Sequence, residues 1–321
     1  MLQTKMTEIL GVKYPIQCGT MHGITTSEMV IPVAKAGGFC CLPSAYYQTK
    51  EELMEEVKKI QDATDQPFGV NVGLFPSMQD VSAEVRLEWA VESGVKILET
   101  AGRNPAPYRD MITGAGMTHI HKCARVRDAV KMDGLGIDMI SIVGTECGGH
   151  PSMEEVTSLV LIPAALDQIS TPLIAGGGFA DGRGLIAALA LGAAGVNMGT
   201  RFMATTECPI HESFKQKLTD SAESETVLVM KSLMNPSRVL RTPGAEKILE
   251  LEAQNATLEE LAPHISGNVS RGGWRTGDFD SGMYPAGQIT GRINDVPTIA
   301  ELMARIVEEA TAAQQRVAAL A

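Results

Sequence analysis

Apolar residues fall in short unbroken runs that end in small or polar residues, and most runs are followed by a stretch of helical periodicity. The runs cover residues 15–19, 39–44, 68–74, 97–102, 118–123, 138–144, 172–178 and 195–201, eight in all, with starts 20 to 34 residues apart. Continuous apolar character without alternation is what strands buried on both faces require. The gaps hold helical stretches: 27–36 before Gly37 and Gly38, 50–63 with Leu53, Val57 and Ile60 on one face, 82–93 before Gly94, and 181–191 before Gly192. A glycine just past the last helical residue supplies the left-handed stop. Eight β/α units with right-handed crossovers predict an α/β fold, a closed (β/α)8 TIM barrel; a doubly wound open sheet is the alternative.

The rhythm changes after Arg201. Residues 206–268, rich in Lys, Glu and Leu, read as mostly helical with no further run of strand quality. Residues 268–291, containing SRGGWRTGDFDSGMYPAGQ, read as one long irregular loop, a kind that is usually functional in a compact chain. A last helix from about Thr298 carries Ile299, Leu302, Ile306 and Val307 on its stripe. The expected organisation is a barrel of residues 1–205 and 285–321, with a small, mostly helical cap and substrate-side loop at 206–284 inserted after strand eight.

Composition narrows the function classes. The 321 residues are 44% hydrophobic and 20% charged, which excludes a disordered or fibrous chain. With 38 acidic against 27 basic side chains the formal charge is −11, so no nucleic acid and no anionic membrane is expected as partner, and a small molecule in a local pocket is. Thirty-two glycines beside only 4% aromatics favour tight β-to-α turns over an aromatic-rich sandwich. The leading MLQTKMTEILGVKYPIQ has no apolar core and no small-residue cleavage site, and nowhere do about 18 apolar residues run together. The six cysteines are irregularly spaced. A reduced, cytoplasmic protein is the expectation.

Chemistry in such a barrel sits at the C-terminal ends of the strands. There the chain places Cys18 to His22, Asn71, Glu99 to Gly102, His121 to Cys123, Glu146 to His150, Gly176 to Gly178, and Met198 to Arg201. Gly176, Gly177 and Gly178, followed by Asp181 opening a helix, offer backbone N–H groups and a helix N-terminus to an anion; Gly199 and Thr200 add donors from the next loop. The glycines otherwise serve only as tight turns, and their spacing is not a dinucleotide fingerprint. Lys122 either aims a cation into the pocket or snorkels to the rim. Asn71, an amide within FGVNVGL, bonds a ligand or a neighbouring strand. His150, after two glycines, either serves as acid, base or donor or faces solvent. In HIHKC, strand alternation sends Lys122 one way and His119, His121 and Cys123 the other, so no metal site is expected.

The segments PIQCGTMHG, PFGVNVGL, ETAGRNP, IHKCARVRDA, GTECGGHPS, AGGGFADGRGL and NMGTRF with ATTECPIH together resemble the nitronate monooxygenase (2-nitropropane dioxygenase) family of FMN-dependent barrels, over nearly the whole length. The chain is most similar to the NADH:quinone reductase branch and more distantly similar to FMN-dependent enoyl-acyl-carrier-protein reductases. The resemblance implies non-covalent FMN with its phosphate on Gly177, Gly178, Gly199 and Thr200, next to Gly176. It places the ring against Gly19, Thr20 and Met21, with Asn71 and Lys122 at its polar edge, Gly149 and His150 beside it, and Gln288 closing the site. It implies catalytic roles for His150 and Lys122, NAD(P)H as co-substrate and a small-molecule electron acceptor, and allows a homodimer. The quinone-reductase branch reads GGMQ where this chain has Gly19-Thr20-Met21-His22, which puts an imidazole, His22, on the substrate side. Implied activities are reduction of a quinone-like or conjugated acceptor, oxidation of alkyl nitronates with O2, or reduction of an enone or enoyl C=C bond.

Overall fold

The computed structural model describes residues 2–75 and 81–320. Eight parallel strands form the barrel: β1 (Ile16–Cys18), β2 (Phe39–Pro43), β3 (Gly69–Gly73), β4 (Ile97–Ala101), β5 (Thr118–Cys123), β6 (Met139–Val143), β7 (Leu173–Gly176) and β8 (Gly195–Met198). Each pairs with the next, and β1 also pairs with β8, so the sheet is closed. These are the eight apolar runs in order. Several runs lose their tails to the loops: after β7, Gly177 and Gly178 take φ of +90° and +79°, which ends the ladder.

Helices Ser27–Lys35, Lys50–Ala63, Ala83–Glu92 and Gly182–Ala190 fill the gaps as their periodicity predicts. The floor of the barrel is apolar: Phe39, Cys41, Ile97, Ile120, Met139 and Ile174 meet Met6 and Leu10 of the helix Lys5–Leu10. Polar side chains are therefore left to the upper half, where the strands end. The last helix, Ile299–Ala318, buries Ile299, Leu302 and Ile306 as expected and extends the stripe through Met303, Ala310 and Ala313; Val307 is only half-buried. Among the described residues no helix is long and apolar enough to cross a membrane.

Two expectations for the region after strand eight are corrected. Within 206–268, alongside the helices Glu212–Asp220, Pro243–Ala253 and Leu258–Ile265, an antiparallel pair forms from β9 (Thr226–Val229) and β10 (Ser237–Leu240). Its connection hides the hairpin, because methionines (Met230, φ +62°, and Met234, φ +53°) occupy left-handed positions where glycine or asparagine is the recognisable signal. Within 268–291 the glycine-rich stretch is not wholly loop: Gly267–Thr276 is a helix. Low propensity is overridden by a Ser266 cap, a left-handed Gly277 stop and the packing of Trp274, whose ring centre lies 4.4 Å from that of Phe214 and 5.1 Å from that of Tyr284. Gly273 admits Tyr284 so closely that a Cβ there would collide with the phenol oxygen.

Behind β4 and β5 a buried chain of polar groups ties strand to helix. Arg109 lies 3.0 Å from His119 Nδ1, and Thr100 Oγ1 sits 2.7 Å from His119 Nε2 and 2.8 Å from His121 Nδ1. Arginine only donates, so His119 carries its hydrogen on Nε2 and donates to Thr100, whose hydroxyl donates to His121. Both rings are neutral. Burial, then Arg109, lowers the His119 pKa to about 3, and burial lowers that of His121 to about 4. The unfolded chain therefore binds more protons than the native one below the ordinary histidine value. Stability is fully present above about pH 6.5 and falls towards pH 4, by about 1.4 kcal/mol per pH unit for each ring. Urea denaturation across this range is expected to show that slope, and His121→Leu to make it shallower; a flat profile contradicts it.

Candidate active site

The upper layer of the barrel interior is polar. Strand alternation turns Gln17, Asn71, Glu99 and Lys122 inward from β1, β3, β4 and β5. Glu99 is fully buried; its carboxylate accepts from Gln17 Nε2 at 2.6 Å, Thr20 Oγ1 at 2.9 Å and Asn71 Nδ2 at 2.8 Å, and lies 3.5 Å from Lys122 Nζ. Burial alone opposes its charge, but Lys122 and the three donors outweigh burial and hold its pKa below the ordinary carboxylate value. The Asn71 amide is thereby oriented: its nitrogen faces Glu99, and among the described residues no donor meets its oxygen.

Beside this layer the ends of β7 and β8 turn on glycine. Among the described residues the N–H groups of Gly177, Gly178, Gly199 and Thr200 meet no protein acceptor, and the first three residues are at least partly open to solvent. Gly176 ends the ladder, pressed against Val143 so that a Cβ would stand 2.7 Å from its Cγ1. Gly19 closes in from the other side, where a Cβ would lie 2.7 Å from Asn197 Oδ1 and 3.5 Å from Gly199 Cα; a methyl group at Gly199 would lie 3.8 Å from Met21 Sδ. The helix Gly182–Ala190 adds less than expected. Its first amides are already taken, since Asp181 accepts from Gly184 N and Glu309 from Gly182 N, each at 2.9 Å. The free donors for an anion are the glycine turns, not the helix end.

The wall opposite is supplied by the loop after β6 and the segment after the cap. Gly149 (φ +81°) exchanges backbone hydrogen bonds with Arg238 of β10, at 3.0 and 2.7 Å, and the buried Arg238 side chain donates to Thr145 O at 2.8 Å. Gln288 N donates to Glu146 O at 3.0 Å, and Gly287 N donates to Thr200 Oγ1 at 2.9 Å, so the 285–288 segment spans from this loop to the β8 turn. His150 faces the open mouth with Nδ1 3.1 Å from Pro236 O. The protein packed around it lowers its pKa, against the raising effect of that carbonyl and of Asn235. His22, also at the mouth, lies 2.8 Å from Arg271 on the unexpected helix Gly267–Thr276. Burial first, then Arg271 and Arg86, lowers its pKa to about 4.

The predicted residues thus form two groups. Thr20, Asn71 and Lys122 share Glu99, while Gly19, Met21, Gly176, Gly177, Gly178, Gly199, Thr200, Gly149 and Gln288 line the adjoining turns. His22 and His150 stand apart, each held by a group from the cap. Sequence reasoning missed Glu99 as the centre of the inner layer, and with it Gln17, Arg238 and Arg271. The signal for Glu99 is the one that exposes Asn71: an ionisable side chain inside an apolar strand must find partners.

A parallel barrel with free amides after β7 and β8 and a polar layer beneath has the arrangement with which many barrel enzymes hold a phosphorylated group at the strand ends. The nitronate monooxygenase family model matches residues 3–309. The chain is 31% identical to a (3aS,4S,5R,7aS)-5-hydroxy-7a-methyl-1-oxo-octahydro-1H-indene-4-carboxyl-CoA dehydrogenase of Rhodococcus jostii (strain RHA1), over 96% of each chain. It is 28% identical to a probable nitronate monooxygenase of Staphylococcus haemolyticus (strain JCSC1435), over 95% of this chain and 96% of that one. FabK from Thermotoga maritima has a TM-score of 0.93 at 30% identity, covering 100% of both chains. The chain belongs to the nitronate monooxygenase family and is an FMN-dependent oxidoreductase.

The residues present fit FMN. A phosphate monoester needs several free N–H donors, and the four amides of the glycine turns provide them; the Glu146 carboxylate, next to Gly178, is engaged by Ser158 N and Oγ. The polar edge of the ring needs an acceptor and a cation, which Asn71 Oδ1 and Lys122 supply. Gly177→Ala tests the cradle: the φ of +90° strains any side chain, and the new Cβ would stand 2.9 Å from Ser158 Oγ and 3.0 Å from Gly144 N. Strain of about 1–3 kcal/mol at this position is expected to weaken FMN binding at least tenfold while the far-ultraviolet circular dichroism is kept. Undiminished affinity in a fluorescence titration contradicts the assignment.

Proposed function

We propose that the protein is an NAD(P)H-dependent oxidoreductase whose second substrate is a conjugated carbonyl compound, either quinone-like or an α,β-unsaturated thioester. When bound, FMN supplies the two-electron chemistry, accepting a hydride from one substrate and giving one to the other. The protein's own residues hold the ring, shape the mouth and handle the proton that accompanies the hydride.

The observation that carries this reading is the setting of His150. A carbonyl oxygen only accepts, so the contact with Pro236 O fixes the hydrogen of the neutral ring on Nδ1 and makes Nε2 the proton-accepting atom, with Asn235 also beside the ring. Its lowered pKa keeps the ring neutral at pH 7. Nε2 takes a proton from solvent and gives it to the acceptor when the acceptor is reduced; in the reverse direction it takes that proton back. Gly149, with no side chain, leaves the space beside the imidazole open: a Cβ there would meet nothing within 4 Å.

Resemblance to the quinone-reductase branch supports a quinone, and the Rhodococcus relative, named for a CoA thioester, supports the thioester. The Staphylococcus relative's name favours a nitronate route, in which the same Nε2 takes the proton of a neutral nitroalkane. Anaerobic mixing of the yellow holoprotein separates them. Bleaching by NADH or NADPH, followed by recovery of colour with benzoquinone or crotonyl-CoA, is the expected result. Bleaching by ethyl nitronate but by neither nicotinamide overturns the proposal in favour of nitronate oxidation.

His150→Ala is expected to slow the acceptor step by about 10²–10⁴-fold with FMN content unchanged. Reduction of acceptor needs the protonated ring, so its rate should fall as pH rises above the lowered pKa. Oxidation in the reverse direction should rise with pH and level off. A profile identical in wild type and His150→Ala removes the histidine from the mechanism.

A further inference from the structure

Glu99 is used by neither the phosphate cradle nor the proton path, yet it is the most heavily bonded side chain of the inner layer. As a fold element it is expensive. Taking a carboxylate and an ammonium out of water opposes folding, and a leucine at the same place would avoid that cost. Register does not require it, because β3, β4 and β5 are already aligned by backbone pairing, with Asn71 opposite Glu99 and Ala101 opposite Lys122. Meeting its demands leaves Gln17 Oε1 buried without a partner, a further cost to the fold.

What the carboxylate does accomplish points up the barrel, toward the strand ends. By drawing Asn71 Nδ2 to itself it leaves Asn71 Oδ1 as an acceptor with no protein donor among the described residues. By accepting the Thr20 hydroxyl hydrogen it leaves that oxygen, which also lies beside the buried Cys41 thiol, to act as an acceptor. Lying 3.5 Å from Lys122 Nζ, it gives the layer one negative charge for one positive. We infer that Glu99 is a positioning residue for the flavin ring: it turns Asn71 and Thr20 so that each presents an acceptor, and its charge offsets that of Lys122 and so holds the flavin's midpoint potential down. The inference rests on FMN as the resident cofactor and not on which acceptor the enzyme serves.

Four holoproteins test it by redox titration against indicator dyes: wild type, Glu99→Gln, Lys122→Met and the double variant. A neutral layer made positive should favour the reduced ring, so the potential rises in Glu99→Gln. It falls in Lys122→Met and returns near the wild-type value when both charges are gone. Glu99→Asp keeps the charge but is one methylene short of Asn71 and Thr20. Its potential should stay near wild type, while the FMN dissociation constant rises about tenfold, the loss of roughly one hydrogen bond. An unchanged or lowered potential in Glu99→Gln, or wild-type affinity in Glu99→Asp, overturns the inference.

Should Glu99→Gln fail to fold, the double variant, which strands no charge, carries the test. A potential near wild type supports the offset, and a displacement as large as that of Lys122→Met refutes it. Wild-type protein that takes up no FMN would instead refute the flavin reading itself, a distinguishable result.

Discussion

Closing eight short strands on one another leaves a narrow interior in which every second side chain of each strand must find a place. That parity is the constraint on which the site depends. It sends Phe39, Ile97, Ile120 and Ile174 into the floor, and it sends Asn71, Glu99 and Lys122 into the layer above. The same parity turns Thr100, His119 and His121 outward, where they bond one another behind the sheet. A one-residue slip of β4 or β5 would exchange the two sets, burying imidazoles in the barrel and facing the carboxylate to the helices. The backbone ladder, the apolar floor and the outer histidine chain each resist that slip.

The cap does more than cover this layer. β10 lies against the loop after β6, with backbone bonds to Gly149 and the Arg238 guanidinium on Thr145 O. Pro236, just before β10, fixes the His150 tautomer, and Arg271, on the glycine-rich helix, fixes His22. Both mouth imidazoles are thus set by residues that follow the barrel in sequence, while the cradle and the inner layer belong to the barrel almost entirely. The division gives a physical reason why one barrel can serve several acceptors: changes in the cap alter the mouth without touching the anion cradle.

How much of this was legible follows from the range of the forces involved. Strands buried on both faces print continuous apolar runs, so the barrel and its helix spacing were readable, down to the bounds of β5 and of Lys50–Ala63. Gly177 and Gly178 were readable because positive φ after a strand demands that residue, whereas Gly199, at φ −97°, carries no such demand. Gly267–Thr276 was not, because its stability comes from Trp274 against Phe214 and Tyr284, distant in sequence, and not from its own propensity. The hairpin of β9 and β10 lacked a signal because methionines fill its left-handed positions. Glu99 was visible as an oddity in an apolar strand, but its role needed Gln17 and Lys122, 82 and 23 residues away, to be placed beside it.

The electrostatics of the site also explain a choice of donors. The chain carries −11 overall, yet the inner layer pairs one cation with one anion, and the cradle beside it is built from neutral amides. Surface charge is screened within about 8–10 Å in salt, whereas a pair in the barrel interior is screened far less. Holding a phosphate with amides adds no positive charge near the ring, so within the inner layer the balance is that of Lys122 against Glu99. A cradle of arginines would bind the phosphate as well, but its field would reach the same ring and shift its redox balance. Separating the group that holds the cofactor from the group that tunes it lets each be set without disturbing the other.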